Sequence, residues 1–272
     1  MKHTKIKLTV ILIAISSFVF TSCEKVIQID LNSSNPILVA EGQMLKDSVA
    51  WIKLSYTSDY FNIEQQEYEE NATVSISDNN NSETLTYVGN GIYKGQQLLG
   101  QVSQNYTINI TTGKEEHTAT STLYKPTEIY GIIFKESEIV RPGHEEDEGT
   151  TYSLEIKFKD DTQKENYYLT KLFVNNRLDS YLLIDDKMHI NENVISYPVM
   201  KKFFSENDIL TVDIYSVDKN TYTYYSQLND AVATGMKPGE ASTPYNPYSN
   251  FNENVMGYFA ALSHVSQTVV VQ

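Results

Sequence analysis

The densest group of side chains with metal-binding chemistry lies at residues 141–149, with the sequence RPGHEEDEG. His144 stands beside four consecutive acids, Glu145 to Glu148, and such oxygen ligands suit Ca²⁺ or another divalent ion. The spacing of an EF-hand loop is missing, and neighbouring residues on a loop rarely converge on one ion. We therefore interpret 141–149 as a solvated hairpin loop, with a metal site as the alternative, and we predict no bound metal and no cofactor.

The chain has one cysteine, Cys23, and this residue follows an apolar run. Three lysines lie within residues 1–7, and residues 8–20 (LTVILIAISSFVF) are mostly apolar. A basic start before a short apolar run is typical of a secretory signal peptide, because a spanning helix needs roughly 20 apolar residues. The sequence FTSC at 20–23 resembles the relaxed lipobox of Bacteroidota lipoproteins, in which the thiol is acylated and becomes the new N-terminus.

We therefore predict a lipoprotein signal peptide at 1–22 and a lipidated tether at 23–36. Two or more acyl chains on Cys23, such as palmitate, would hold the protein on a membrane permanently, at about 0.8 kcal/mol per buried methylene. The predicted location is the outer membrane, with the periplasmic and the cell-surface face both left open. The alternative interpretation is a plain secreted protein with one free thiol.

Composition excludes one class of partner. The chain has 21 Lys and Arg against 35 Asp and Glu, a formal net charge of −14. Nucleic-acid affinity depends on cationic side chains that neutralise phosphates, so we exclude nucleic-acid binding. Twenty Tyr and ten Phe against a single Trp favour strands.

The elements that would position any site are short alternating strands joined by Asn- and Gly-rich turns. Residues 37–125 contain about seven of them, and in SVAWIKLSY (48–56) Ala50, Ile52, Leu54 and Tyr56 share one face. This pattern predicts an immunoglobulin-like β-sandwich. Tyr124-Lys125-Pro126 interrupts the pattern and is the predicted domain boundary.

Residues 126–272 continue the strand series, and we predict a β-rich domain, an antiparallel sheet or small barrel, with one helix at 218–234. Asp218 is a good N-cap for this helix, and a glycine follows its end. Tyr222, Tyr225, Leu228 and Val232 recur at helical spacing, which predicts a stripe packed on the core. The fold class is therefore mostly β.

The search for catalytic patterns finds none that is specific. The sequence lacks GxSxG, HExxH, GxxxxGK[ST] and GxGxxG, and His117, His189 and His264 are scattered over predicted strands. Carboxylates are numerous, so a glycosidase-type acid pair in the second domain stays open as the alternative. We predict no catalytic residues and a protein that is not an enzyme.

A Pro-rich loop at 237–251 carries a possible binding site. Tyr245, Tyr248 and Phe251 flank two prolines, which would hold the rings as a stiff aromatic tip. Tyrosine is favoured at interfaces because its ring is apolar and its hydroxyl is polar. The alternative is that this loop folds over the open end of its own sheet.

Several phrases, taken in order, resemble the Bacteroidota outer-membrane lipoprotein family known as "domain of unknown function 4249". They are CEKVIQIDL, ATVSISD, GIYKG, YTINITTGKEEHTATS, VDIYSVDKNTYTYYSQL and NPYSNFNENVMGYFAALS. The resemblance covers nearly the whole chain after Cys23. It implies an outer-membrane lipoprotein, often encoded beside a TonB-dependent receptor, and it supplies no catalytic residues.

We therefore expect a lipid-anchored, non-enzymatic envelope protein that binds, or assists, a TonB-dependent outer-membrane receptor. Two alternatives are an envelope glycan hydrolase that uses a carboxylate pair and a structural or adhesive surface protein. The sequence does not identify the ligand or the oligomeric state.

Overall fold

The computed structural model describes residues 35–58, 66–113, 115–137, 151–187, 192–235, 246–252 and 254–272. Within it, Pro36–Gln272 fold as one compact unit. The strands of the first region are β1 (Leu38–Leu45), β2 (Val49–Tyr56), β3 (Thr73–Ser77), β4 (Ser82–Thr84), β5 (Thr86–Gly89), β6 (Ile92–Leu99), β7 (Gln104–Thr112) and β8 (Glu115–Leu123). Those of the second are β9 (Ile129–Ser137), β10 (Thr151–Lys159), β11 (Tyr167–Val174), β12 (Arg177–Asp185), β13 (Val194–Ser205), β14 (Ile209–Val217) and β15 (Val255–Val270), with helix α1 (Lys219–Gly235).

These strands form three sheets. The large sheet has the order β12-β11-β14-β15-β1-β2-β6-β5, and the small ones have the orders β4-β3-β7-β8 and β13-β10-β9. Pairing is antiparallel except between β1 and β15. The prediction of a mostly β protein is confirmed, and the described strands form open sheets rather than a closed barrel.

One face of the large sheet, the inner face, is covered by both small sheets. Its first half packs against the four-stranded sheet around a core that includes Ile52, Leu54 and Phe259, all with no exposed surface. The alternation predicted for β2 is confirmed, since Ala50, Ile52 and Leu54 are buried. Each buried Ile or Leu side chain stabilises the fold by about 1.5–3 kcal/mol. This arrangement is compatible with the predicted sandwich.

The second half of the inner face packs against the three-stranded sheet. The core between them includes Ile156 and Phe158 of β10 and Leu172 and Val212 of the large sheet. The Phe158 and Tyr168 rings meet edge to face, with centroids 4.8 Å apart. The second region is therefore also two packed layers.

Strand β15 joins the two regions. Phe259 and Ala261 belong to the first core, whereas Val265 and Val269, further along the same face, pack on the second. Gly257 lies beside β1 with φ 91°, and a Cβ atom there would lie 2.2 Å from the Ala40 carbonyl oxygen, so only glycine fits.

The predicted boundary at 125/126 falls in the irregular segment 124–128, between the two cores. The two regions nevertheless share one sheet and one compact unit. The difference from the prediction arises because β15 pairs with β1, a contact between residues more than 200 positions apart in sequence. A local pattern carries no information about such a pairing.

Helix α1 begins as the sequence predicts. Asp218 is the N-cap, and the Thr221 N–H donates to its Oδ1 over 2.6 Å. Tyr222, Tyr224 and Tyr225 pack on the outer face of the large sheet.

The later part of the predicted stripe does not pack on the core. Leu228 is 36% exposed and Val232 is 52% exposed. The helical periodicity is correct, but α1 contacts the sheet mainly through its first two turns, and periodicity alone does not show where a helix leaves a sheet.

Asp218 also connects the two regions. Its Oδ2 accepts a hydrogen bond of 2.6 Å from the Ser121 hydroxyl on β8, and its Oδ1 accepts one of 3.3 Å from the Tyr258 hydroxyl on β15. The Ala261 N–H in turn donates to the Ser121 Oγ over 2.9 Å. One carboxylate therefore ties the helix start to β8 and β15.

Candidate functional site

A polar cleft of about 980 Å³ opens where the two regions meet. We call it the junction cleft. Its walls come from the connection 124–128, from the β10–β11 connection 160–166, and from the ends of β11 and β14. Its volume lies at the upper end of the range found for small-molecule sites, about 300–1,000 Å³.

Asp160 and Tyr168 form the most buried polar pair of the cleft. Asp160 follows β10 and is 5% exposed, and Tyr168 is 4% exposed. The Tyr168 hydroxyl donates to Asp160 Oδ1 over 2.7 Å. Burial raises the pKa of Asp160, and the nearby Asp186 carboxylate adds to that rise. Burial and the bond to Asp160 raise the pKa of Tyr168 as well.

Asn166 holds the β10–β11 connection in shape. Its side-chain amide donates to the carbonyl oxygens of Asp161 and Lys164 over 2.7 and 2.9 Å. Its backbone N–H donates to Oδ2 of the buried Asp186 over 2.9 Å. Because the loop is tied at both ends, the polar groups that it carries are preorganised for a ligand.

Glu165 and Tyr167 form a second acid–phenol pair at the start of β11. The Tyr167 hydroxyl donates to Glu165 Oε2 over 2.7 Å, and this bond lowers the pKa of the carboxyl group. Burial, with the same bond, raises the pKa of Tyr167 to about 12. At neutral pH the pair therefore stays a carboxylate bonded to a neutral phenol.

Two positive side chains of the cleft, Lys159 and Lys164, lie near acids. Lys159 Nζ is 3.8 Å from Glu128 Oε2, and Lys164 Nζ is 3.4 Å from Asp161 Oδ2 and 5.2 Å from the centre of the Tyr124 ring. These are exposed pairs, worth about 0–1 kcal/mol each. Their effect is to balance the charge of the walls.

Buried hydroxyl groups continue from the cleft wall into the interior. Ser216 of β14 lines the cleft, and its register partner on β15 is Ser263, which has no exposed surface. The Ser263 Oγ and the equally buried Thr170 Oγ1 have no hydrogen-bond partner among the described residues. All three side chains share the inner face of the large sheet. Buried polar groups without partners are uncommon, and each one calls for an explanation.

None of the predicted chemical residues that the structure describes lines this cleft. Cys23, the segment 141–149, His189 and Tyr245 lie outside the described residues. His117 on β8 is buried, with Glu115 Oε2 3.6 Å from its Nε2, and both ring nitrogens lack a hydrogen-bond partner among the described residues. His264 on β15 stacks on Tyr215 with centroids 5.1 Å apart. In the part of the chain that the structure describes, no three His, Cys, Asp or Glu side chains are placed to hold a metal ion.

The two described rings of the predicted aromatic tip, Tyr248 and Phe251, differ in exposure. Tyr248 is 44% exposed, and its N–H donates to the Gln227 Oε1 on α1 over 2.6 Å. Phe251 is only 7% exposed, belongs to the first core and forms a bridge with Ala119 of β8. Phe251 therefore does not form part of an exposed aromatic tip, because the segment 250–252 lies along β8 instead of projecting.

Sequence reasoning missed the junction cleft. Its main lining segment, DDTQKEN at 160–166, has the composition of an ordinary turn between two strands. The signal available was the pair Asp160 and Tyr168, which lie eight residues apart on either side of that turn. No local pattern shows that they meet. The described residues also contain no helix that is both long enough and apolar enough to cross a membrane.

The fold and the cleft together define a mostly β protein with a polar cavity where two layered regions share a sheet. No curated protein matches the chain. Residues 24–268 match the family described as "Domain of unknown function (DUF4249)". The match covers most of the chain, which therefore belongs to this family, as the sequence phrases predicted.

Proposed function

We propose that this protein is a lipid-anchored, non-enzymatic binding protein of the outer membrane, acylated at Cys23, that works with a TonB-dependent receptor. The observation that carries the binding role is the junction cleft, whose polar walls are preorganised by Asn166 and by the Asp160–Tyr168 pair. A binding protein needs this kind of prepared site, because a rigid site loses less entropy when the ligand is held.

The anchor is supported by the sequence around Cys23. The basic residues, the apolar run 8–20 and the FTSC sequence agree with a lipoprotein signal. Residues 24–35 would give a short tether of at most about 3.3–3.6 Å per residue. The folded body would therefore stay within a few nanometres of the bilayer, within reach of a receptor in the same membrane.

The first experiment tests the anchor. Cells fed labelled palmitate are expected to label the wild-type chain and to leave Cys23→Ser unlabelled. The same substitution is expected to release the protein from outer-membrane vesicles. An unlabelled wild-type protein, or a Cys23→Ser protein that still sediments with the vesicles, would refute the anchor.

The second experiment tests the partner. A tagged chain is purified from native membranes in mild detergent, and co-purifying proteins are identified by mass spectrometry. We expect a TonB-dependent β-barrel receptor to co-purify with the wild-type chain. The control is Cys23→Ser, which would lose the shared membrane. If no such receptor is recovered, the accessory role is wrong. Protease shaving of whole cells in parallel shows which face of the membrane carries the protein.

One observation favours a second candidate, an envelope glycan hydrolase. Asp160 is buried in the cleft wall with a raised pKa, a property that general acids of glycosidases share. Asp161 and Glu165 supply further carboxylates in the same lining. Release of reducing sugar from envelope polysaccharide by the wild-type chain, abolished in Asp160→Asn, would support this candidate. Equal release by both proteins, or none by either, would exclude Asp160 as its acid.

A further inference from the structure

We propose that the junction cleft binds a short, uncharged oligosaccharide. This inference rests on the proposed function, because it names the ligand class of the same site. It is carried by three properties of the cleft: balanced charge, a lining that is almost free of aliphatic side chains, and polar groups left over for a ligand.

Charge balance argues against an ionic ligand. Four lysines line the cleft, and four acids accompany them: Lys125, Lys159, Lys164, Lys219, Glu128, Asp160, Asp161 and Glu165. An ionic ligand needs a surplus of the opposite charge, because removing an unpaired charge from water is costly. The formal charges of these eight side chains sum to zero, whereas the whole chain carries −14. The cleft is therefore locally neutral in an acidic protein.

The scarcity of aliphatic groups argues against a peptide or a lipid. Pro126 and Val217 are the only aliphatic residues among those described in the lining. Most small-molecule pockets are lined mainly by apolar side chains, and peptide sites add pockets for alternate side chains. Tyr124 supplies a half-buried ring instead, because Tyr167 and Tyr168 are 7% and 4% exposed and their rings pack on Tyr222 and Phe158. A tyrosine ring offers a flat apolar face and a polar edge, which matches a sugar ring.

Unused polar groups supply the hydrogen bonds. Of the seven Ser, Thr, Asn and Gln residues in the lining, five make no side-chain hydrogen bond to other described residues: Ser103, Thr162, Gln163, Asn193 and Ser216. Hydroxyl and amide groups both donate and accept, as sugar hydroxyls do. Ser216 leads inward to the unpartnered hydroxyls of Ser263 and Thr170. A hydroxyl-rich ligand at this wall would continue the same row of hydroxyl groups.

The test uses the full chain purified from its envelope in detergent. Calorimetry measures binding to neutral oligomers of two to six glucose or mannose units, to oligogalacturonate of the same lengths, and to uncharged peptides. We expect at least one neutral oligosaccharide to bind and its acidic counterpart to bind at least about tenfold more weakly, a difference of about 1.4 kcal/mol. Peptide binding without sugar binding, or no binding of any neutral oligosaccharide, overturns the proposal.

Variants then locate the site. Tyr124→Ala is expected to weaken sugar binding by about tenfold through loss of a ring contact. Tyr130→Ala is the matched control, because Tyr130 lies on β9 outside the lining and is 52% exposed. Equal affinities of the two variants would place the ligand elsewhere. Receptor recovery without sugar binding refutes only this inference, whereas sugar binding without a receptor refutes only the accessory role.

Discussion

The two halves of the inner face of the large sheet bury different kinds of side chains. In the first half, inward positions on β1 and β2 are filled by apolar residues such as Ala40, Ile52 and Leu54. In the second half, Thr170, Ser216 and Ser263 occupy inward positions among aliphatic neighbours. The first half shows what stability alone requires.

The polar row of the second half lies beside the junction cleft, whereas the inward positions of β1 and β2 carry no such row. Buried hydroxyl groups without partners reduce stability, because they lose their hydrogen bonds to water. The first region also buries unpartnered polar atoms, the ring nitrogens of His117, but these lie on β8 and not on the large sheet. The unpartnered hydroxyl groups beside the cleft are what the proposed binding role would require, since a ligand could supply the missing hydrogen bonds. Four sets of measurements test this difference between the two halves.

The largest effect on stability is expected when a buried side chain of the first core is truncated. Phe259→Ala removes a fully buried ring and should lower the free energy of unfolding by about 3–5 kcal/mol, measured by denaturant titration. Phe158→Ala in the second core should cost about the same, but it also removes the edge contact that positions Tyr168. Only Phe158→Ala should weaken ligand binding. Equal binding losses would refute the distinction between the regions.

Val270→Ala is the control for these two changes. Val270 lies at the end of β15 and is 44% exposed, so its truncation should change stability by less than about 0.5 kcal/mol.

The second effect concerns the link between the regions. Asp218→Ala removes the N-cap of α1 and leaves the Ser121 hydroxyl without its acceptor, at an expected cost of about 2–3 kcal/mol. Asn220→Ala, an exposed change in the first turn of α1, should be close to neutral. If both variants unfold at the same denaturant concentration, Asp218 does not hold the two regions together.

The third change is expected to stabilise the protein rather than destabilise it. Thr170→Val replaces an unpartnered buried hydroxyl by a methyl group of the same shape, so it should raise the free energy of unfolding by about 1 kcal/mol. Thr73→Val on the exposed side of β3 serves as the control and should change little. A destabilised Thr170→Val would mean that this hydroxyl is satisfied, and the polar row would then be an ordinary structural feature.

The smallest effects are changes of stability with pH at two carboxyl groups, and they have opposite signs. The groups are Glu155 on β10 and Asp160, the residue that follows β10. The Lys135 ammonium and the Ser196 hydroxyl hold the pKa of Glu155 at about 2. Its stabilising contribution is therefore full above its unfolded pKa and is lost as the pH falls towards 2. Asp160 has a raised pKa because of burial, so its contribution is present below its unfolded pKa and is lost as the pH rises through the folded pKa.

Unfolding measured from pH 2 to pH 7 separates these two groups. Glu155→Gln should lose less stability than the wild type on acidification. The wild type should lose stability as the pH rises through the raised pKa of Asp160, and Asp160→Asn should not show this loss. Parallel curves for the two variants would show that both carboxylates titrate in the same environment, contrary to their different burial.

Several features could be predicted from the sequence because their causes are local. The strands of both regions follow from alternation and from Asn- and Gly-rich turns, and Asn90 and Gly91 indeed adopt positive φ between β5 and β6. The start of α1 follows from Asp218, whose carboxylate lies three residues before the N–H that it accepts. Family membership follows from the order of short phrases.

Other features could not be predicted because they depend on contacts between distant residues. The exposure of Leu228 and Val232 is set by where α1 leaves the sheet. The burial of Phe251 is set by β8, more than 120 positions earlier. The junction cleft brings together 124–128, 160–166 and β14. The sequence of each segment does not show which other segments it will contact.

The short strands and the capped start of α1 could be read from the sequence, because propensity, alternation and capping act over a few residues. The pairing of β15 with β1 and the polar cleft beside the shared sheet become visible only in the folded chain. Both features depend on which strand edges and sheet faces come into contact in the folded chain. These contacts are stabilised by burial and hydrogen bonds between residues that no local pattern connects.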